Sequence, residues 1–371
     1  MKIGLVAPEF PPDIGGVQTY AWHMARGLVH SGHEVTVFTQ SRPIDESDRF
    51  GFRIEPVLKL RRRHDLSALR QYRMDVWHCM NAPYAWLAME TAPVFVTVHG
   101  NDFLTPYHPI ARLDLRFSDR LDRWLGDVLT SRAVRLALPR ARHIFANSRY
   151  TEEVFLKHHP ACRGKTSVAS VGVAEEAFSS HEIPRLEGPT RLVTICRLSE
   201  RRKNLPSVLE ALSRLSCAYD FHYTIVGDGE LRPELEGLTA RFGLADRVSF
   251  AGFMNNEQKI ELLRRSDLFV LPAVATAQSF EGFGLVYLEA NACGTPVLAA
   301  RVAGAVDAVE EDVSGFFVPE PTVDGIACSL SRFFRGDVAF TAEACISFAR
   351  GFTWGAVVRH CLPHYDRALA S

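Results

Sequence analysis

Residues 280–297 read FEGFGLVYLEANACGTPV, an apolar run that carries two glutamates, Glu281 and Glu289, with Gly282 and Gly284 beside the first. The glycines let backbone N–H groups approach a ligand closely. LVYLEANA, from Leu285 to Ala292, has helical character and is stopped by Gly294 and Pro296. The N-terminus of such a helix is a seat for phosphate. Glu281 falls just ahead of it and Glu289 lies inside it, leaning back toward the same end because helical side chains point N-terminally. A carboxylate accepts two charge-assisted hydrogen bonds from vicinal hydroxyls. One glutamate on each side of a phosphate seat suggests a sugar on one side and a ribose on the other. A charge favoured by the helix dipole at Glu281 and a solvated Glu289 would give the same pattern.

A leaving nucleoside diphosphate needs cations. Arg197 and Lys203, in ICRLSERRKN just past the strand LVTIC, are of the right type and place. A solvated basic loop has the same composition, and Arg201 and Arg202 read as that kind of residue. Gly15-Gly16 follows the first strand and opens a helix, but no G-x-G-x-x-G is present there and a tight turn alone explains two glycines. His99 and Asp102 follow VFVTV at a strand's carboxyl end, where ligands of open α/β sheets bind. A structural histidine is the commoner case; the position favours function. Asp13 and Asp102 could orient an acceptor hydroxyl. His360 and His364 have an i, i+4 spacing, but Pro363 intervenes and no carboxylate accompanies them, so they receive no ligand role. D-x-D is absent, which argues against a metal bridging a diphosphate.

These residues must be positioned by a scaffold. At 371 residues the chain is long enough for two domains. Short apolar runs (Lys2–Ala7, Glu34–Thr39, Val94–Val98, His143–Ala146, Thr166–Val171) alternate with helical patterns, which predicts a parallel sheet covered on both faces. The rhythm breaks in AEEAFSSHEIPRLEGPT and restarts at RLVTICRL. The predicted organisation is a first domain over 1–175, a linker over 176–190, a second domain over 191–352 and a last helix over 353–371 that crosses back to the first. Net charge is −1, which gives no case for nucleic acid, although basic residues lean toward the first half. The eight cysteines are scattered without C-x-x-C and read as reduced thiols. MKIGLVAPEFPP reads neither as a signal segment nor as a spanning helix, so a cytoplasmic location is expected. The arginine-rich stretches 59–73 and 112–142 suit peripheral contact with an anionic membrane, and equally suit amphipathic surface helices.

The E-x7-E segment EGFGLVYLE with ANACGTPV, together with ICRLSERRKN, IVGDGELRPELE and PPDIGGVQTYAWHMARGLVHSGHEVTVFT, resembles retaining glycosyltransferases of family 4 with the GT-B fold. The likeness extends over nearly the whole chain. It implies an α/β protein of two doubly wound Rossmann-like domains facing across a cleft, binding a nucleotide-sugar donor mainly on the second, without a metal or other cofactor. On that resemblance Arg197 and Lys203 grip the diphosphate, and Glu281 holds sugar hydroxyls beside the backbone of Gly282, Phe283, Gly284 and Leu285. Glu289 takes the ribose and His99 sits beside the reacting sugar. Gly15 and Gly16 lie near the donor phosphate, and Phe253-Met254 resemble the nucleobase pocket, although Phe253 could equally be core. EGFGLVYLEANACG looks closest to enzymes that use GDP-mannose, with UDP-sugars the alternative. The expected reaction moves a hexosyl unit to a glycan or lipid-linked acceptor. A nucleotide-sugar epimerase of the same fold and a non-catalytic sugar-nucleotide binder are the rivals.

Overall fold

The structure, a computed structural model, describes residues 1–12, 15–40, 51–91, 93–100, 102–104, 131–178, 188–276 and 279–370. The chain divides into two compact units, Met1–Gly172 with Trp354–Ser371, and Val173–Thr353. Much of the stretch read as a linker, 176–190, lies outside the described residues, and the division falls at Gly172–Val173.

Among the described residues of the first unit seven strands run in the order β3-β2-β1-β4-β5-β6-β7. They are β1 (Lys2–Val6), β2 (Glu34–Phe38), β3 (Arg53–Glu55), β4 (Val76–Cys79), β5 (Val94–Val98), β6 (His143–Ala146) and β7 (Thr166–Val168). Every pairing is parallel. The interior strands are apolar along their length because helices cover both faces. Strand order reverses between β1 and β4, so the loops after β1 and β4 open at the switch point and the loop after β5 follows the next strand over. β4, VWHC, has a histidine that breaks its apolar reading. In the fold His78 is fully buried, its ring nitrogens meeting the Tyr365 hydroxyl at 2.5 Å and Thr97 Oγ1 at 2.8 Å. Burial, with help from His99 and His143, pushes its pKa down to about 3, so it stays neutral.

The helix Trp354–Leu369 belongs to this unit. Its Trp354 stacks on His23 at 4.7 Å, and Val358 occupies the space that a side chain at Gly27 of the helix Gly16–His30 would take. The basic stretch 59–73 forms the helix Arg62–Leu69, whose Arg62 and the following Arg70 both pair with Glu90, at 3.0 and 3.1 Å. Residues 105–130, most of the second arginine-rich stretch, lie outside the described residues. No helix among the described residues is long and apolar enough to cross a membrane.

Among its described residues the second unit holds six parallel strands in the order β10-β9-β8-β11-β12-β13. These are β8 (Thr190–Ile195), β9 (Phe221–Val226), β10 (Val248–Gly252), β11 (Leu268–Leu271), β12 (Val297–Ala300) and β13 (Gly315–Val318). Here the order reverses between β8 and β11. The two chemistry-bearing segments of the sequence, ICRLSERRKN and FEGFGLVYLE, follow those two strands.

Candidate active site

Beyond β8 the chain makes a short helical turn, Arg201–Lys203, ended by Asn204 in the left-handed conformation at φ 60°. The Asn204 side-chain amide donates to the carbonyls of Pro272 (3.2 Å) and Pro321 (2.8 Å), and the Arg202 carbonyl accepts from Val274 N at 2.8 Å. The loop after β8 is thereby tied to the loop after β11. From behind, Gly227 and Gly229 of the turn after β9 lie against the backbone of Cys196 and Leu198, with no room for a Cβ at either. Asn204, Gly227 and Gly229 carry no reactive group, and sequence reasoning passed over all three.

Glu281 is where the two loops meet. Its Oε2 accepts from Lys203 Nζ at 2.6 Å and from Arg202 Nη1 at 2.8 Å. All three side chains are at most 16% exposed, so the charges act in a desolvated setting. Arg202 corrects the sequence expectation of a solvated residue. In this turn it faces inward, while Arg201 points out to a bidentate pair with Glu234 at 2.8 and 2.7 Å. Burial works to raise the Glu281 pKa, and the charges and hydrogen bonds of Lys203 and Arg202 override it, holding it at about 2. A folded value below the ordinary 4.5 means that the group's stabilisation, roughly 3 kcal/mol, is fully present above pH 4.5 and lost as pH falls toward 2. Acid unfolding of the wild-type chain should show that loss and Glu281→Gln should not; equal acid sensitivity of the two would contradict it.

Gly284, at φ 94°, caps the helix Leu285–Ala292 with no side-chain partner for its first N–H groups among the described residues. Gly282, Phe283 and Leu285 flank this open N-terminus, and Glu289 lies half-buried in the helix. Arg197 is 65% exposed and pairs with Glu200 at 3.0 Å rather than with Glu281. Phe253 follows the left-handed Gly252 and is 66% exposed, which removes the core alternative; Met254 beside it is partly buried.

In the first unit, Gly15 and Gly16 open the helix Gly16–His30, with no side-chain cap among the described residues, and a Cβ at Gly16 would meet none of them within 4 Å. His99 lies edge-on to Tyr20 at 4.7 Å. Burial pushes its pKa down to about 4 against a hydrogen bond with the Met80 backbone, and its buried Nε2 meets no polar partner among the described residues. It is a neutral imidazole with one nitrogen available. Asp102 has both oxygens engaged, Oδ1 by His99 N and Oδ2 by Ala82 N, each at 2.9 Å. Burial raises its pKa to about 7 although those two donors pull the other way. Asp13 lies outside the described residues. No group of three or more metal-ligating side chains occurs among the described residues.

Two family models match. One, described as glycosyl transferases group 1, covers residues 176–351, and one described as glycosyltransferase family 4 covers residues 14–177. The chain belongs to the group 1, family 4 glycosyltransferases.

An uncharacterized glycosyltransferase of Methanocaldococcus jannaschii is 24% identical to this glycosyltransferase over 90% of this chain and 88% of its own. The amylovoran biosynthesis glycosyltransferase AmsK of Erwinia amylovora is 32% identical over 47% of this chain and 43% of its own. Among solved structures, Anabaena HepE in complex with UDP-glucose superposes with a TM-score of 0.76 at 19% identity, covering 99% of this chain and 100% of that one. The two sheets are those of a GT-B glycosyltransferase, an enzyme acting on nucleotide sugars.

Proposed function

We propose that this glycosyltransferase transfers a hexosyl unit from a nucleoside diphosphate sugar to a hydroxyl of a glycan or lipid-linked acceptor, with retention and without a metal. The observation that carries the reading is the buried Lys203–Glu281–Arg202 cluster at the switch point of the second sheet. As the bond from the sugar to the diphosphate breaks, negative charge grows on the phosphate oxygen. Lys203 and Arg197, with the N–H groups around Gly282, Phe283 and Gly284, supply the preorganised compensation that a metal would otherwise give. Glu281, held ionised, accepts hydroxyls of the donor sugar, Glu289 those of the ribose, and Phe253 offers an exposed ring for the base. In the first unit Gly16 and His99 present a helix N-terminus and a neutral ring nitrogen, and as the acceptor oxygen attacks the sugar from the leaving-group face its proton passes to the departing diphosphate oxygen. The donor placed first is GDP-mannose, on the likeness of EGFGLVYLEANACG, with UDP-hexoses second. A relative named as an amylovoran biosynthesis glycosyltransferase supports a biosynthetic transfer.

Thermal-shift titration with GDP, UDP, GDP-mannose and UDP-glucose, each with and without EDTA, tests this. At a hundredfold over Kd, binding adds about 2.7 kcal/mol, a shift of several degrees. One base should shift the midpoint regardless of EDTA. No shift with any of the four, or a shift abolished by EDTA, would refute the metal-free donor site.

A further inference from the structure

Five charged side chains of the second unit form one chain of alternating sign. Arg197 Nη2 meets Glu200 Oε1 at 3.0 Å, and Glu200 Oε2 meets Arg202 Nη2. Arg202 Nη1 meets Glu281 Oε2 at 2.8 Å, and Lys203 Nζ meets that same oxygen at 2.6 Å. Exposure falls along it, from 65% at Arg197 to 11% at Lys203. The central guanidinium spans two carboxylates at once, Nη1 on Glu281 and Nη2 on Glu200, in a fixed fork. Among the described residues Glu281 Oε1 carries no hydrogen bond, so Arg202 and Lys203 leave that oxygen open for a hydroxyl. The buried Nε of Arg202 has no acceptor among the described residues. Such an unmet donor is costly and is retained where charge placement matters more than saturation.

We propose that Arg202 is a positioning residue of the donor site, setting through Glu281 and Glu200 where the two phosphate cations Lys203 and Arg197 rest. The inference builds on the donor-site reading above. Its chemistry is competition. A diphosphate must draw Lys203 from Glu281 and Arg197 from Glu200. Arg202 lowers the demand of both carboxylates on those cations by sharing their charge. Without Arg202, Glu281 leans on Lys203 alone, and the lysine is held back from the phosphate. Protonating Glu281 would then release it.

The experiment measures Kd for GDP-mannose and for UDP-glucose, whose diphosphate is esterified at both ends and so carries no terminal phosphate proton to lose, between pH 5 and 8 on the full chain and on Arg202→Met, Arg202→Lys and Glu200→Gln. Wild-type affinity for the nucleotide it binds should be flat in this window. Arg202→Met should bind about tenfold more weakly at pH 8 and recover as pH falls, a signature that mere loosening of the fold would not produce. Arg202→Lys should restore the flat profile with intermediate affinity. Glu200→Gln, which frees Arg197, should bind several-fold more tightly, and it carries the test if Arg202→Met does not fold. Arg202→Met with wild-type affinity and a flat profile, or Glu200→Gln with unchanged affinity, overturns the inference alone. A wild-type chain that binds neither nucleotide overturns the donor-site reading, and the inference with it.

Discussion

Lys203→Met should lower kcat by about a hundred- to a thousandfold, the range seen when one preorganised donor to a developing oxyanion is removed. The geometry argues for the upper part of that range. The lysine is 11% exposed and reaches a carboxylate at 2.6 Å in the switch-point crevice, where its charge is little screened by water. Methionine keeps most of the aliphatic stem, so packing is largely preserved while the charge is lost. A second readout separates charge from packing. With Lys203 gone, burial still works to raise the Glu281 pKa and only Arg202 opposes it. The carboxylate should therefore titrate at higher pH, adding an acid limb to the pH profile of kcat/KM. Breaking a buried pair also costs about 3–5 kcal/mol of stability, so the midpoint of unfolding must be measured on the same sample. Glu289→Ala is the control, since its half-buried carboxylate should matter to ground-state binding of the ribose and raise KM with little change in kcat. Equal losses in kcat and KM for both variants would refute the division of labour between them.

Gly304→Ala should weaken donor binding by about ten- to a hundredfold through an otherwise ordinary position. Gly304 has a helical φ of −69°, so no backbone preference forbids alanine. The obstacle is space. A Cβ there would overlap the Gly282 carbonyl and come within 2.6 Å of Phe283 Cα, and Gly304 N donates to the Glu281 carbonyl at 2.9 Å. All three neighbours are backbone of the loop that carries the glutamate, and backbone cannot rotate away as a side-chain tip can. Overpacking of this kind costs about 1–3 kcal/mol, and relieving it means moving the Glu281 loop off Lys203 and Arg202. Displacements near one ångström are enough to lose a large part of oriented binding. Nucleotide titration against a circular-dichroism check of folding decides it: a folded variant with wild-type affinity would show that the loop tolerates the shift.

How far the site could be read from residues alone depended on range. Glu281 stood out as a charge beside glycines at the head of a helix and Lys203 as a cation in the basic run beyond a strand, while the role assigned to each rests on the family resemblance. Arg202 did not stand out, because two adjacent arginines look alike in composition. Only the phase of a one-turn helix sends Arg201 outward to Glu234 and Arg202 inward to Glu281. Gly304 was invisible for another reason: its contact is with a loop more than twenty residues earlier in the chain, and nothing in its own neighbourhood signals the approach. Arg197 was read by type as a cation for the diphosphate, and in the fold it pairs with Glu200. In the scaffold, β5 and β6 were plain from their apolar runs, whereas β4 was hidden by His78, a polar residue that the buried Tyr365 and Thr97 hydroxyls satisfy from distant parts of the chain.

The route of the chain also orders its birth. Residues 173–353 form one uninterrupted unit, whereas the unit begun at Met1 is completed only by Trp354–Leu369, where Trp354 lies on His23 and Val358 fills the notch at Gly27. A polypeptide emerges from the ribosome N-terminus first, and domains generally fold as their residues become available. Here that sequence is inverted for completion. The segment synthesised second can close its core while the first still waits, with the apolar face around Gly27 uncovered until the last helix is released. A chain cut short before residue 354 and released would hold a finished second unit beside an unfinished first one, and the surface at Gly27 is where a chaperone would find something to hold.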